Sequence, residues 1–436
     1  MYDYFNKRTE PMKSKRNQTI QKLANGTCHR WYRFVLAFPD HYVRDQLSEF
    51  GIQKGQIVLD PFVGTGTTCV ECKLNGISSI GIDANPIAAF ASRVKTTWDL
   101  DVSQVINERK RILEEARESS KSLRGKQRNL LDFSTESISD VHREFSLELV
   151  SEKYVSPMPL AKCMILREAI LRIDDSKMRD FFMLSLATTF VKSANVRFGP
   201  EIGLIPPKED ASSLEYFSEI TGQMIDDLNL VSKKAKCKCE IIEADSRRIG
   251  EILDPDSVSM VITSPPYPVD KDYTRQTRLE LAILGLAINI QDIQEIKKKM
   301  IRSSTRQIYK ADNEVQKVVH ITEIRDIIDE IISRCRRDGD TSGFSKMYPR
   351  LVGEYFGGMR THFEQLHPLL KDNAKCAYVV GDSRSFKMVH IQTAKILGII
   401  AEEVGFKVLS IDLWRDRGST AHKQTLNENI LKLQKR

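Results

Sequence analysis

The sequence predicts an α/β fold with a mostly parallel β-sheet and large helical insertions. Two short apolar runs, at 57–59 and 79–82, each end at an aspartate and lead into a helical pattern. A third apolar run, Val258–Ile262, stops just before a Pro-Pro pair. Strands that alternate with helices favour βαβ units, in which neighbouring strands are parallel. Residues 99–236 and 286–370 show mostly helical periodicity, which indicates two insertions into this core.

The composition is that of a globular protein rather than a membrane-spanning or disulfide-rich one. Of the 436 residues, 41% are hydrophobic and 29% are charged, and no apolar run approaches the ~20 residues of a membrane span. The first residues lack the apolar core of a signal peptide, so we expect a cytoplasmic protein. The eight cysteines are expected to be reduced thiols, and their spacing predicts no metal site. A formal net charge of +7 suits a polyanionic partner without requiring one.

The first strand runs into a glycine-rich turn, Asp60-Pro61-Phe62-Val63-Gly64-Thr65-Gly66-Thr67, and then into a helix. Glycines here let the backbone approach a ligand closely, and the helix start offers free amide donors. No Gly-Lys-Ser/Thr follows and a third glycine is missing, so the turn is neither a P-loop nor a dinucleotide fingerprint. Asp83 ends the next strand, where an acid can accept hydrogen bonds from both hydroxyls of a ribose. The pattern predicts a nucleotide-type ligand.

A second polar group, Thr263-Ser264-Pro265-Pro266-Tyr267, follows the third apolar run. The two prolines hold the end of the strand rigid. The Ser264 hydroxyl and a backbone carbonyl beside Pro265 can accept the two hydrogens of an exocyclic amino group, and Tyr267 offers a flat face for stacking. A plain strand-to-turn junction with an exposed tyrosine is the alternative. The chemistry of these side chains predicts a binding site for a planar base that carries an amino group.

Together, Asp60-Pro61-Phe62-x-Gly64-x-Gly66-Thr67-Thr68 and Thr263-Ser264-Pro265-Pro266-Tyr267 resemble the motif pair of the amino-methylating DNA methyltransferases. The T-S-P-P-Y form is most similar to the cytosine-N4 branch of that family. The resemblance implies a Rossmann-like methyltransferase core and S-adenosylmethionine as the cofactor.

The same resemblance implies roles for individual residues. Phe62, Gly64 and Gly66 would surround the amino-acid end of S-adenosylmethionine, and Asp83 would bind its ribose. Glu243-Ala244-Asp245 resembles the family segment that contacts the adenine, and His29-Arg30-Trp31-Tyr32 resembles the segment that covers the cofactor. The expected cofactor-binding residues are Asp60, Phe62, Gly64, Gly66, Thr67, Asp83, Asp245 and Thr263, and the expected catalytic residues are Ser264, Pro265, Pro266 and Tyr267.

The order of the motifs predicts how the chain is divided. Residues 1–98 would hold an N-terminal arm and the cofactor-binding half of the core, and residues 237–285 would hold the catalytic half. Residues 99–236 and 286–370 would be helical insertions, and residues 371–436 would supply the last core strands. Both insertions carry basic runs that suit a phosphate backbone, although such runs are also common on solvated helix faces. We expect target recognition to lie in the first insertion.

The reaction that the resemblance implies is methyl transfer to the N4 amine of a flipped cytosine in double-stranded DNA, within a restriction-modification or related defence system. A cognate restriction endonuclease acting on the same site is then an expected partner. No cysteine follows a proline, as it does in the methyltransferases that alkylate cytosine carbon, so no covalent cysteine intermediate is expected. Three alternatives stay open: an adenine-N6 enzyme, an RNA methyltransferase and a non-catalytic DNA-binding protein.

Overall fold

The computed structural model describes residues 27–33, 38–128, 149–197, 199, 202–234, 237–384, 386–419 and 424–436. The predicted N-terminal arm lies almost wholly outside these residues. Of the helices in the described ranges, none combines the length and the apolar character that crossing a bilayer requires.

The predicted α/β fold with a mostly parallel sheet is confirmed. The strands are β1 (Ile57–Asp60), β2 (Ser78–Asp83), β3 (Val196–Arg197), β4 (Gly203–Leu204), β5 (Cys239–Glu243), β6 (Val258–Thr263), β7 (Leu370–Gly381), β8 (Phe406–Ser419) and β9 (Gln424–Lys435). In the described part of the chain, seven of them form one sheet of order β5-β2-β1-β6-β7-β9-β8, and β3 pairs with β4 in a short antiparallel hairpin. The strands from β5 to β7 are parallel, and β9 runs antiparallel between β7 and β8.

The strand order reverses beside β1. From β1 the chain adds β2 and then β5 on one side, and it later adds β6 and β7 on the other side. In open α/β sheets a ligand crevice forms outside the carboxyl ends of the strands at such a reversal. β6 is buried along its whole length, because its side chains pack into a separate hydrophobic cluster on each face of the sheet. Its last residue, Thr263, brings the Ser264–Tyr267 segment to this edge.

Three helices complete the first half of the core: α1 (Asp40–Phe50), α2 (Thr67–Leu74) and α3 (Pro86–Thr96). α2 begins directly after the glycine-rich turn, as predicted, and Asn85 precedes the first residue of α3. Pro86 suits that position because the N–H that proline lacks would have no partner in the first helical turn. Both helices therefore begin at the carboxyl ends of the strands that precede them.

The predicted first insertion is helical in its described residues. Four long helices lie there, at Val102–Arg128, Pro157–Leu171, Ser176–Ser193 and Ser213–Val231. Their apolar faces pack with Trp98 and α3 in one hydrophobic cluster, so the region is continuous with the core. The fourth helix contains Gly222, which lowers helix propensity, and the burial of Phe217 compensates for this. The assignment of this region to target recognition stays a prediction.

The predicted second insertion contains three long helices in its described residues, at Ile290–Lys298, Thr322–Arg337 and Gly343–Leu366. A Cβ atom at Gly357 would lie 2.1 Å from the backbone oxygen of Glu314, so only glycine permits this close packing. The third helix ends at Leu366, and one short turn leads into β7. The insertion thus returns the chain to the sheet beside β6, where β7 pairs in parallel.

The polar sequence from Arg415 to Thr425 predicts a loop between the last strands, and this prediction is wrong. β8 continues to Ser419 and β9 begins at Gln424, while residues 420–423 lie outside the described residues. The paired residues in this part of the hairpin include Arg415 opposite Glu428, so polar side chains line up across the two strands. An antiparallel pair that leaves the core needs no apolar run, because one of its faces can meet water. The hairpin therefore reaches past the core to the carboxyl edge of the sheet.

Candidate active site

The glycine-rich turn and the Thr-Ser-Pro-Pro-Tyr segment open into one cavity of about 430 Å³ at the carboxyl edge of the sheet. Its wall includes, from the first half of the chain, Tyr32, Pro61, Phe62, Val63, Gly64, Thr65, Thr67, Asp83, Ala84 and Asn85, and from the second half Ser246, Ser264, Pro265, Pro266, Tyr267, Lys271, Arg415 and Glu428. Two segments that are about 200 residues apart in sequence thus share one space. A ligand bound to the glycine-rich turn would lie beside a ligand held by Ser264 and Tyr267.

Asp83 is fixed at the end of β2 by two backbone amides. The N–H of Gly64 donates to its Oδ2 atom at 2.9 Å, and the N–H of Asn85 donates to its Oδ1 atom at 2.8 Å. Burial raises the pKa of Asp83 to about 7, although both amide hydrogen bonds act to lower it. Each carboxylate oxygen can accept a further hydrogen bond. Asp83 is therefore a positioned acceptor at the cavity wall, which suits a pair of ribose hydroxyls.

The two predicted glycines occupy different positions. Gly64 lines the cavity with φ +51°, and a Cβ atom there would have no neighbour closer than 4.0 Å. Gly66 has φ +83° and does not line the cavity. A Cβ atom at Gly66 would lie 3.1 Å from Cα of Ser92, which belongs to α3. Gly64 thus leaves room for a ligand, whereas Gly66 lets the turn pack against a helix.

Asp60 and Thr263 lie behind the cavity wall. Both are buried, and the Thr263 hydroxyl donates a hydrogen bond of 2.6 Å to Oδ1 of Asp60. The N–H of Phe62 donates to the same oxygen at 3.2 Å. Burial raises the pKa of Asp60 to about 6, against the hydrogen bond from Thr263. These two residues hold the two motifs together, and neither is in the lining of the cavity.

Ser264 presents its hydroxyl oxygen as an acceptor. The hydroxyl donates its hydrogen to the backbone carbonyl of Val379 on β7 at 3.0 Å. A hydroxyl oxygen carries two lone pairs, so this bond leaves both of them available for N–H donors. Pro265 and Pro266 follow in the cavity wall. The arrangement suits an amino group, which can only donate.

Tyr267 is held by residues that the sequence analysis did not identify. Its hydroxyl donates to Oε1 of Glu428 at 2.8 Å and lies 3.3 Å from the Ser264 hydroxyl oxygen. Glu428 is buried and also forms an ion pair with Arg415. In the sequence, Leu426 and Ile430 lie two residues before and after Glu428, and this strand-like spacing could have placed the acid with them on the inward face of β9.

The predicted cofactor-covering segment packs over the first half of the cavity. Tyr32 lines the cavity, and its hydroxyl donates to Glu280 at 2.9 Å. The buried Lys95 ammonium donates to the backbone carbonyls of Tyr32 at 2.6 Å and Thr65 at 3.1 Å. Burial lowers the pKa of Lys95 to about 7. Lys95, which no sequence pattern singled out, thus ties the covering segment to the glycine-rich turn.

Asp245 lies beside the cavity, and its neighbour Ser246 forms the wall. The Asp245 carboxylate accepts the Arg247 backbone N–H and pairs with the Arg247 guanidinium at 2.7 Å. The predicted contact of Asp245 with an adenine stays a prediction.

Phe62, predicted at the amino-acid end of the cofactor, packs its ring against His362 with 4.9 Å between the ring centroids.

Comparison with known proteins supports the methyl-transfer chemistry that the geometry of this cavity suits. The family described as DNA methylase matches residues 8–91. The Type II methyltransferase M.BsoBI of Geobacillus stearothermophilus is 25% identical over 448 residues, covering 96% of this chain and 85% of that protein. M.AvaI of Nostoc is 24% identical over 88% of this chain and 80% of its own length. M.MjaII of Methanocaldococcus jannaschii is 44% identical, but only over 54 residues.

The family match and these relatives support placing the chain among the amino-methylating DNA methyltransferases. Its cofactor is S-adenosylmethionine, which the Type II enzymes of this family use. The residues of the chain fit that group, because the backbone of Gly64 and the positioned carboxylate of Asp83 line a cavity of about 430 Å³. Phe62, Gly64 and Asp83 are the residues that would hold the cofactor.

Proposed function

We propose that this protein transfers a methyl group from S-adenosylmethionine to the N4 amine of a cytosine that is flipped out of double-stranded DNA. The observation that carries the proposal is the Ser264 hydroxyl, whose hydrogen is engaged by the Val379 carbonyl at 3.0 Å. The Ser264 oxygen is left as an acceptor in the same cavity as Gly64 and Asp83. An acceptor at this point suits an amine and does not suit a keto oxygen.

The residues of the chain would activate the amine by hydrogen bonding. An exocyclic amine is a poor nucleophile because its lone pair is delocalised into the ring. The Ser264 oxygen and the carbonyl of Pro265 would accept its two hydrogens, which favours a tetrahedral nitrogen with an exposed lone pair. Bound S-adenosylmethionine would supply an electrophilic methyl group on its sulfonium. The contribution of the protein is positioning and electrostatic stabilisation.

Tyr267 would hold the extruded base. Flipping a base out of the duplex costs a few kcal/mol, and stacking on an aromatic ring offsets part of that cost. The hydrogen bond from Tyr267 to Glu428 fixes the ring before any base arrives. A ring that is fixed in advance loses less conformational freedom on binding.

The choice of cytosine over adenine rests on Ser264. In the family that this chain resembles, the cytosine-N4 branch tends to have serine before the Pro-Pro pair, where adenine-N6 enzymes tend to have aspartate or asparagine. Adenine remains the second candidate, because an acceptor for an amine serves either base. The Type II methyltransferases that resemble this chain support a role in restriction-modification. A cognate endonuclease as partner and target recognition in residues 99–236 are further parts of the proposal.

A transfer assay tests the substrate class. The protein is incubated with S-adenosylmethionine labelled in its methyl group and with double-stranded DNA, single-stranded DNA or RNA. We expect label chiefly in double-stranded DNA. Label found only in RNA would show that RNA rather than DNA is the substrate. No label in any of the three nucleic acids would favour the non-catalytic alternative.

The variant Ser264→Ala tests the catalytic assignment in the same assay. We expect its turnover to fall by at least about 100-fold, as for loss of a positioned polar group at a reaction centre, with S-adenosylmethionine binding unchanged. Ser257→Ala is the matched control, since Ser257 precedes the other end of β6 and its hydroxyl, among the described residues, bonds to the nearby Asp254 carbonyl alone. Transfer by Ser264→Ala at a rate close to that of the unmodified protein would show that the assignment is wrong.

A further inference from the structure

A second cavity, of about 220 Å³, lies beside the active cavity and has a mostly polar lining. The two cavities share Lys271, which follows Tyr267 by four residues. The remaining wall comes from the segment around Asp270 and Arg275, from Ser304–Arg306, and from Ile202 beside the β3–β4 hairpin. The cavity therefore lies where the catalytic segment meets residues of both helical regions.

Hydrogen bonds build the floor of this second cavity. The Lys271 backbone N–H donates to the Ser303 carbonyl at 3.0 Å, and the Ser303 hydroxyl donates back to the Lys271 carbonyl at 3.1 Å. Oδ1 of Asp270 accepts from the Ser304 hydroxyl at 3.0 Å, from the Thr305 N–H at 2.7 Å and from the Thr305 hydroxyl at 3.0 Å. Ser303, Ser304 and Thr305 are all buried. The floor is thus fixed before a ligand binds.

The charges around the cavity favour an anion. Four cations, Lys271, Arg275, Lys297 and Arg306, face two carboxylates, Asp270 and Asp272. Asp272 is already paired with Lys297 at 2.6 Å, and Asp270 is saturated on one oxygen by the three donors of the floor. Besides Lys271, which the two cavities share, Arg275 and Arg306 remain.

These two arginines are available for a ligand. Both side chains are exposed, and neither forms a side-chain hydrogen bond or ion pair with any residue in the described ranges. By contrast, Arg302 is buried against Asp312, and Arg109 and Arg111 of the first insertion bond to residues of its own helices. Those three arginines are therefore structural, whereas Arg275 and Arg306 border a cavity beside the active site.

We propose that this second cavity binds a backbone phosphate of the DNA next to the extruded nucleotide, with the Arg275 and Arg306 guanidiniums as its ligands. The proposal rests on the proposed function, since it requires DNA with a base flipped into the active cavity. Flipping turns the nucleotide about its backbone, so the phosphate beside it must be held in a new position. A guanidinium suits this task because its planar fork can bind two phosphate oxygens at once.

The proposal is tested with Arg275→Ala, Arg306→Ala and the double variant. The substrate is a short duplex containing the methylated site, mapped first by sequencing DNA treated with the unmodified protein. For each protein we measure KM for the duplex, kcat, and the slope of log(kcat/KM) against log salt. Removal of one phosphate contact should reduce the magnitude of that slope by about 0.9 and raise KM for DNA roughly tenfold. Each lysine replacement, Arg275→Lys or Arg306→Lys, should restore most of the slope.

A flipping assay separates this site from general attraction to DNA. The same duplex carries 2-aminopurine at the target base, whose fluorescence rises when the base leaves the stack. We expect Arg275→Ala and Arg306→Ala to lower the fluorescence increase at saturating protein. Arg336→Ala is the matched control, since Arg336 is exposed, lacks a side-chain partner among the described residues and borders neither cavity. Thermal melting and S-adenosylmethionine binding, which should not change, report on folding.

The outcomes distinguish this proposal from the proposed function. If the unmodified protein methylates DNA while both alanine variants keep its salt slope, KM and fluorescence change, the phosphate site is wrong and the proposed function stands. If Arg336→Ala changes these quantities as much as the two variants do, the effect is general electrostatics and the site is likewise wrong. If the unmodified protein methylates no DNA, both proposals are overturned together.

Discussion

The Thr263 hydroxyl donates a hydrogen bond of 2.6 Å to the Asp60 carboxylate, across 203 residues of sequence. Thr263 ends β6 and Asp60 ends β1, and the two strands pair in parallel. The bond therefore joins the strand that leads to Ser264 with the strand that leads to Gly64. Because both partners are buried, water cannot replace either of them. This contact therefore helps to set the distance between the glycine-rich turn and Ser264.

Loss of that hydroxyl should destabilise the protein and misplace the site. Thr263→Val keeps the shape of the side chain but leaves the buried Asp60 carboxylate without its shortest hydrogen bond. We expect the free energy of unfolding to fall by about 1–3 kcal/mol, measured by urea denaturation. A double-mutant cycle with Asp60→Asn should give a coupling energy well above 0.5 kcal/mol, as for residues in direct contact. Strictly additive effects would contradict a direct role for this bond.

The two glycines of the turn should respond differently to alanine. Gly64→Ala should lower stability by about 1 kcal/mol, the cost of a positive φ, and should weaken S-adenosylmethionine binding because the methyl group enters the cavity. Gly66→Ala should lower stability by about 2–4 kcal/mol, since its Cβ would also meet the Ser92 backbone at 3.1 Å.

Gly51→Ala is the control for the cost of φ alone, because Gly51 has φ +69° and a Cβ atom there would meet nothing within 4 Å. Denaturation gives the stabilities, and calorimetry gives the binding constants. Equal losses of stability in Gly64→Ala and Gly66→Ala would show that contact with Ser92 does not matter.

S-adenosylmethionine affinity should depend on pH through Asp83. Burial raises the pKa of Asp83 to about 7, and only the ionised carboxylate can accept from both ribose hydroxyls. The dissociation constant should therefore rise as pH falls below about 7, approaching tenfold per unit. The folding stability of the ligand-free protein should change with pH in the opposite direction. The raised pKa of Asp83 contributes stability at low pH, and this contribution is lost as the pH rises through about 7.

Asp83→Asn is the control for that measurement. Lys95 and Glu280, whose pKa values burial moves to about 7, are present in both proteins, so the difference between the two pH profiles isolates Asp83. We expect the variant to bind weakly with a flatter profile. Parallel profiles would contradict a role for Asp83 in ribose binding.

Two substitutions of Tyr267 should distinguish the contribution of its ring from that of its hydroxyl. Tyr267→Phe keeps the stacking face but loses the 2.8 Å bond to Glu428, so we expect kcat to fall several-fold. Tyr267→Ala should also lose about 1–3 kcal/mol of base stacking, which would appear in KM for DNA and in 2-aminopurine fluorescence. Glu428→Gln, which keeps an acceptor but loses the charge facing Arg415, should resemble Tyr267→Phe. Unchanged KM and flipping in Tyr267→Ala would exclude stacking on this ring.

Much of the fold could be predicted because its signals are local. The runs ending at Asp60 and Asp83 and the Pro-Pro pair after Thr263 mark strand ends, and parallel strand ends meet at one edge. The need for glycine at position 66 was also predictable from the glycine-rich turn. The close contact of Gly66 with Ser92 was not predictable, because it depends on how α3 packs.

The parts of the site that were missed depend on long-range pairing. Glu428 reaches Tyr267 only because β9 pairs with β7 in the register that places Glu428 opposite Gly381. A shift of one residue would turn Glu428 to the other face of the sheet, and no local pattern fixes that register. Lys95 is similar, since a lysine in a helix is usually solvated and only the tertiary fold shows it bonded to two backbone carbonyls.

The most direct test of the account is the identity of the methylated base. Double-stranded DNA is incubated with the protein and isotope-labelled S-adenosylmethionine, digested to nucleosides and analysed by mass spectrometry, with Ser264→Ala run in parallel. The account predicts labelled N4-methylcytosine with the unmodified protein and at most a trace with the variant. Labelled N6-methyladenine without N4-methylcytosine would contradict it, leaving the fold and the cofactor site in place but overturning the assignment of the base.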